Sequence, residues 1–182
     1  MQSTLPITKQ VFLAAFQPGD KEALIQYLND PVLYANTLKI PSPYTALHAE
    51  EWLQFVAGEK DAPGGICNWS IRHQEYGLIG GIGCFLKTGM NGHVDEIGYW
   101  LAQPFRGQGI MTTVVQRFTQ WMFEQRPSLV RIEANVFATN PASIRILEKA
   151  GFLQEGYHRK VHLKAGEYLD GVIMAKVLSP ES

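Results

Sequence analysis

The sequence predicts an α/β domain, in its layout α+β: a mixed, mainly antiparallel sheet flanked by helices. Three observations predict it. Between Gly64 and Ala102 three strand-like runs follow one another across short turns, which suits an antiparallel meander. Beyond Ala102, helical and strand patterns alternate, which lays helices on a mixed sheet. The 182 residues carry no internal repeat, low-complexity stretch or linker, so one domain is expected over residues 1–182.

The elements follow in order. Gln10 to Phe16 reads as a first strand, broken by Pro18-Gly19-Asp20, with Asp20 offered as the N-cap of a helix carrying Leu24, Ile25 and Leu28. Pro31, Pro41 and Pro43 divide the next region. Thr45 then starts a helix with Ala49, Trp52, Leu53 and Val56 on one face. The meander comprises Ile66 to His73, Leu78 to Lys87 and His93 to Leu101, joined by Glu75-Tyr76-Gly77 and Thr88-Gly89-Met90-Asn91-Gly92. Gly77, Gly80, Gly81 and Gly83 lie inside a strand pattern with no helix after them. They predict a bulge or a close backbone approach rather than a phosphate loop. A helix from Gly109 to Glu124, a strand from Leu129 to Phe137, a helix from Pro141 to Ala150 and strands Phe152 to Leu163 and Tyr168 to Val177 complete the chain.

Composition bounds the function. Hydrophobic residues at 46% against 18% charged exclude a disordered or fibrous chain. A net charge of -1 gives no overall attraction for nucleic acid or an anionic membrane, so neither is expected as a partner. Cys67 and Cys84 lie in apolar runs without a CxxC partner and read as buried, reduced thiols, neither zinc ligands nor a disulfide. No stretch approaches the roughly 20 apolar residues that span a bilayer, and the N-terminus lacks an apolar leader, which makes a cytoplasmic location the expectation.

The most informative segment is Glu96-Ile97-Gly98-Tyr99-Trp100-Leu101-Ala102-Gln103-Pro104-Phe105-Arg106-Gly107-Gln108-Gly109-Ile110-Met111. A strand turns here through a glycine loop into a helix, whose Ile110, Met111, Val114, Val115, Phe118, Trp121 and Met122 recur at helical spacing. The first N–H groups of a helix lack internal partners and point outward with the positive end of the dipole, so this loop suits an anion such as a pyrophosphate. Gly107 and Gly109 would permit close approach, and Arg106 would add charge. The spacing alone does not separate a phosphate cradle from a bare strand-to-helix turn. It does lack the G-x-x-x-x-G-K-[ST] of an NTPase loop and the third glycine of a dinucleotide fingerprint.

The second segment runs Ile132-Glu133-Ala134-Asn135-Val136-Phe137-Ala138-Thr139-Asn140-Pro141-Ala142-Ser143-Ile144-Arg145-Ile146-Leu147-Glu148-Lys149-Ala150-Gly151-Phe152. Asn140 is suited to cap a helix, Pro141 to open it and Gly151 to end it, with Phe152 as the hydrophobic contact beyond. His93 beside Asp95 and Glu96 completes no ligand set, because strand alternation separates the carboxylates and no second histidine joins them. No metal is expected. His158 and His162, four apart in a predicted strand, carry no such pairing, and Tyr44, Trp52 and Trp69 could be core or the wall of an acceptor pocket.

Together, R-G-Q-G opening a helix and the later N-P-A-S-x-x-x-L-E-K-A-G-F resemble the GNAT superfamily of N-acetyltransferases. The E-I-G-Y-W-L strand resembles its branch of ribosomal-protein N-terminal acetyltransferases (RimJ/RimL-like). The motif-level resemblance runs from Asp95 to Gly156. The family pattern Q/R-x-x-G-x-G/A finds Pro104 where its first polar residue stands, which puts that side-chain contact in doubt and leaves main-chain binding intact.

The resemblance implies a sheet whose central parallel strands, His93 to Leu101 and Leu129 to Phe137, splay to admit acetyl-coenzyme A as co-substrate. Its pyrophosphate would lie on Arg106, Gly107, Gln108, Gly109, Ile110 and Met111, and its pantetheine along the backbone of Tyr99, Trp100 and Leu101, with Asn140 in contact. Transfer to a primary amine needs a base for the released proton. Glu96 is the candidate, against the reading of an ion-paired strand carboxylate. Ser143 is the candidate donor to the departing thiolate, against the reading of local helix capping. The implied acceptor is a peptide or protein N-terminus or a small amine such as a polyamine or aminoglycoside, and a homodimer is compatible with the resemblance. A non-catalytic acyl-coenzyme A sensor would keep the loop and the Asn140 helix but need neither Glu96 nor Ser143.

Overall fold

Alternating burial and local caps build thirteen helices and strands among the residues that the computed structural model describes, 4–59, 67–85, 87 and 89–178. Gly64, Ile66 and Thr88, used above to bound the meander, a strand and a turn, lie outside the described residues, as does Leu86 within the second strand of that meander. Two compact units result. One holds the chain up to Cys84 together with Gly98–Gln108, and the other Phe85–Ile97 together with the chain from Gly109.

The first unit contains β1 (Thr4–Pro6), β2 (Val11–Ala14), α1 (Lys21–Leu28), α2 (Pro31–Asn36), α3 (Ala46–Gly58), β3 (Asn68–His73), β4 (Gly77–Cys84) and the later half of β5 (Val94–Leu101). Its strand order is β1-β2-β3-β4-β5, antiparallel from β1 through β4. Phe16, Leu24, Leu28, Leu33, Tyr44, Ala49, Val56 and Leu78 form its core, with Trp52 and Trp100 packed against them. Thr45 caps α3 as the sequence predicts, accepting the His48 N–H at 3.4 Å. The glycines of β4 answer a close approach: a Cβ on Gly80 would stand 2.6 Å from the Trp100 carbonyl oxygen and one on Gly81 2.6 Å from the Trp100 indole nitrogen.

The second unit contains the first half of β5, α4 (Ile110–Gln125), β6 (Arg131–Phe137), α5 (Pro141–Lys149), β7 (Leu153–Lys164) and β8 (Glu167–Val177). Its strand order is β5-β6-β8-β7. β5 and β6 are parallel and paired from Val94↔Arg131 to Glu96↔Glu133, while β6 pairs antiparallel with β8 along its full length, to Phe137↔Gly171. On α4, Val114, Val115, Phe118 and Met122 are buried at the predicted spacing, each contributing about 1.5–3 kcal/mol relative to an exposed side chain. The mixed, mostly antiparallel sheet and flanking helices are those expected. Among the described residues no helix is long and apolar enough to cross a membrane.

Four local expectations are corrected. Asp20 stands at the N-cap position of α1 as expected, but its side chain makes no capping bond: it ends a 3-10 turn over Pro18–Asp20, and its buried carboxylate accepts from the Gln17 N–H at 2.8 Å and from Arg72 at 2.8 Å. A tertiary cation has claimed the side chain that local pattern offered to the helix. Pro31 is a starter as well as a divider, standing at the first turn of α2 after the Asp30 cap. Strand β1 precedes the predicted first strand and pairs with it. Cys67 and Cys84 are not joined in a disulfide and are half-buried rather than buried, at the edges of β3 and β4 and outside the core.

Candidate active site

The start of α4 follows from its sequence. A 3-10 turn over Gln103–Phe105, with Pro104 inside it, ends β5, and the chain then passes through Arg106 in extended backbone to Gly107 and Gly109, both at φ 77°. Only glycine adopts that left-handed conformation without steric cost. Gly109 is the N-cap of α4 and supplies no side-chain acceptor, so the first N–H groups of a 16-residue helix are left to whatever approaches from outside. A Cβ on Gly107 or Gly109 would meet nothing within 4 Å, and both glycines are exposed. This open, main-chain cradle at the positive end of a helix fits a pyrophosphate. Of its side chains, Met111 is buried and Ile110 half-buried, so both offer only main chain. Gln108 is folded back, its Nε2 donating to the Pro104 carbonyl at 3.0 Å.

Arg106 is engaged elsewhere. Its Nε donates to the Leu101 carbonyl at 2.9 Å and its Nη2 to Asp30 Oδ2 at 2.5 Å, a bond that spans 76 positions of sequence. Leu101 is buried, and Tyr99 and Trp100 are half-buried, with Trp100 against the core of the first unit.

In the second unit, strand alternation separates the two acidic residues as predicted. Asp95 is fully buried, accepts the Phe85 N–H at 3.1 Å and the Glu96 N–H at 2.7 Å, and pairs with Arg126. Glu96 faces the other way and is half-buried, and among the described residues its carboxylate meets no donor. Beside it, in register, stands Glu133, which the sequence reading did not single out. Glu133 is claimed on both oxygens, by Arg131 Nε at 2.7 Å and Lys87 Nζ at 3.5 Å, and Arg131 also forks onto Glu155 at 3.0 and 2.5 Å. Hydrogen bonds donated to Glu155 and then to Glu133 raise the guanidinium pKa further, and the Arg131 bond holds the Glu155 carboxyl below the usual carboxylate range.

At the other end of β6, Asn140 Oδ1 accepts the Ser143 N–H at 3.1 Å, Pro141 opens α5, and Gly151 at φ 88° closes it, with Phe152 buried behind. The predicted cap thus joins Asn140 and Ser143 directly. His93 Nδ1 lies 3.2 Å from the Met90 carbonyl oxygen, and His162 lies against Phe137 with ring centroids 5.0 Å apart. Tyr44 and Trp69 are core, and Trp52 meets Phe16 edge-on at 5.8 Å.

Comparison with known proteins gives the family. Residues 10–153 match the family model described as an acetyltransferase (GNAT) domain. The L-amino acid N-acetyltransferase AaaT of Escherichia coli is 28% identical over 173 residues, 92% of this chain and 98% of that one. The ribosomal-protein-serine acetyltransferase of Escherichia coli is 27% identical over 141 residues, 71% of this chain and 78% of its own length. Among solved structures, RimL, a ribosomal L7/L12 alpha-N-protein acetyltransferase in complex with coenzyme A, superposes with a TM-score of 0.83 at 21% identity, covering 96% of this chain and 98% of that one. The chain therefore belongs to the GNAT family and is an acetyltransferase.

Proposed function

We propose that this acetyltransferase moves the acetyl group of acetyl-coenzyme A onto the α-amine of an amino acid or a peptide N-terminus, as a single catalytic domain over residues 1–182 working in the cytosol. The observation that carries the reading is the start of α4, where two left-handed glycines and an uncapped helix present main-chain N–H groups to an anion. The names of two similar proteins support the acceptor: one acts on L-amino acids, the other on the alpha-N position of a ribosomal protein. What they share is an amine on the carbon that bears a carbonyl group.

The co-substrate supplies an activated acetyl thioester. The chain's part is to hold and to move protons. The N–H groups from Gly107 to Met111 bind the pyrophosphate, the backbone of Tyr99, Trp100 and Leu101 holds the pantetheine and polarises the thioester carbonyl, and Asn140 adds a contact. The amine attacks as its neutral form, and its excess proton passes to Glu96, directly or through water. Of the two carboxylates abreast on β5 and β6, Glu133 has both oxygens occupied by two cations, whereas Glu96 does not. The Ser143 hydroxyl donates to the sulfur as the thiolate departs.

The test is turnover and binding of Glu96→Gln across pH, with amino acids, N-terminal peptides and polyamines as acceptors. General-base loss predicts kcat lower by about 100-fold at neutral pH, with coenzyme A affinity unchanged. Equal activity at every pH would remove Glu96 as the base. Transfer to polyamines alone would overturn the acceptor class.

A further inference from the structure

We propose that Asp30 is a positioning residue for the phosphate-binding loop, acting through Arg106; the proposal rests on the reading of that loop given above. Arg106 immediately precedes Gly107, and as the cation of an R-G-x-G loop it invites assignment as a phosphate ligand. Its guanidinium is spent instead on two fixed acceptors inside the first unit, the Leu101 carbonyl and Asp30. The Arg106 side chain is 29% exposed and that of Asp30 14%, so the pair is shielded enough to hold its geometry. Its charge is also neutralised there, which leaves the anion to the main chain.

The carboxylate of Asp30 divides its oxygens. Oδ1 accepts the Val32 N–H at 2.7 Å and caps α2, while Oδ2 receives Arg106. Arg106 is thereby held at both ends of its residue, since its backbone N–H donates to the Gln103 carbonyl at 3.3 Å. Phe105 is anchored separately by Tyr76 and His73, with ring centroids at 5.6 and 6.3 Å. Two neighbouring residues are thus fixed by independent partners just before the chain turns to φ 77° at Gly107. A main-chain phosphate site works only if its N–H groups already point at the ligand, because any ordering on binding is subtracted from affinity. Asp30 supplies that order from a distant part of the sequence.

Asp30→Asn isolates the effect, because asparagine caps a helix as well as aspartate does but cannot form the ion pair. Acetyl-coenzyme A is compared with S-acetylpantetheine, which carries the same thioester and lacks the pyrophosphate. Loss of a charge-assisted bond predicts a KM for acetyl-coenzyme A raised about tenfold with kcat little changed, so that the preference for acetyl-coenzyme A over S-acetylpantetheine falls by the same factor. Arg106→Gln should reproduce this, and the double variant should be no worse than either single one. Parallel losses with both donors would overturn the proposal in favour of a general structural role. Tighter coenzyme A binding by Asp30→Asn would overturn it by making the released Arg106 a phosphate ligand. An unchanged KM for acetyl-coenzyme A in a wild-type background that binds it would also refute it. Failure of the wild-type protein to bind coenzyme A would instead fault the loop reading on which the proposal stands.

Discussion

Arg126→Met tests how the strand that carries Glu96 is held. Asp95 is fully buried and gives its carboxylate to Arg126 and to the Phe85 and Glu96 N–H groups, so removing the cation strands a charge in the interior. Removing one partner of a buried pair costs about 3–5 kcal/mol. Here the cost is smaller, since the Arg126 side chain is 24% exposed and two N–H donors remain on Asp95, which sets the expectation at about 2–3 kcal/mol. For a chain of this size that lowers Tm by about 5–10 °C in a thermal melt followed by circular dichroism. Asp95→Asn in the same background removes the stranded charge while keeping an acceptor for both N–H groups, and should restore about half of the loss. A shift below about 2 °C for Arg126→Met, or a double variant as unstable as the sum of the single ones, would refute the argument.

Three further predictions follow from the same geometry. Gly109→Ala forces a side chain into φ 77° without meeting a neighbour, so it should cost about 1–2 kcal/mol of stability and still fold, while its methyl group weakens coenzyme A binding in a direct titration; unchanged affinity in the folded variant would dismiss the cradle. Asn140→Ala loses the bond to the Ser143 N–H and should destabilise by about 1 kcal/mol in denaturant, and no change would mean that water replaces the cap. Acid should weaken the fold. The Arg131 bond depresses the Glu155 pKa and the Tyr157 hydroxyl bond that of Asp170, so the unfolded chain binds more protons in this range. The stability they add is present above the ordinary carboxylate values and is lost as pH falls through the folded ones. Glu155→Gln should flatten part of that acid slope of Tm, and an unaltered slope would rule the Arg131 pair out as a source.

Local chemistry was the readable part of this chain. The helix from Asn140 to Gly151 is legible because its cap, its proline and its terminal glycine act on their own neighbours, and α4 because its buried stripe repeats within one element. The glycine loop is legible for the same reason, as an uncapped helix start. What failed was whatever a distant residue decides. Asp20 reads as a cap until Arg72, 52 positions away, takes its carboxylate, and Asp30 shows nothing of its tie to Arg106. Glu133 becomes interesting only when parallel register sets it abreast of Glu96, a pairing that no spacing within either strand encodes. The half-buried cysteines make the same point, since an apolar run marks a strand without saying where along it the core ends.

The most direct test of the account is acetyl transfer by the purified protein, following thiol release from acetyl-coenzyme A together with the mass of the product, against amino acids, N-terminal peptides, polyamines and aminoglycosides. The account predicts thiol release matched by an acetyl group on the α-amine of an amino acid or peptide, saturable in acetyl-coenzyme A. Saturable coenzyme A binding with no acetylated amine from any class would contradict it.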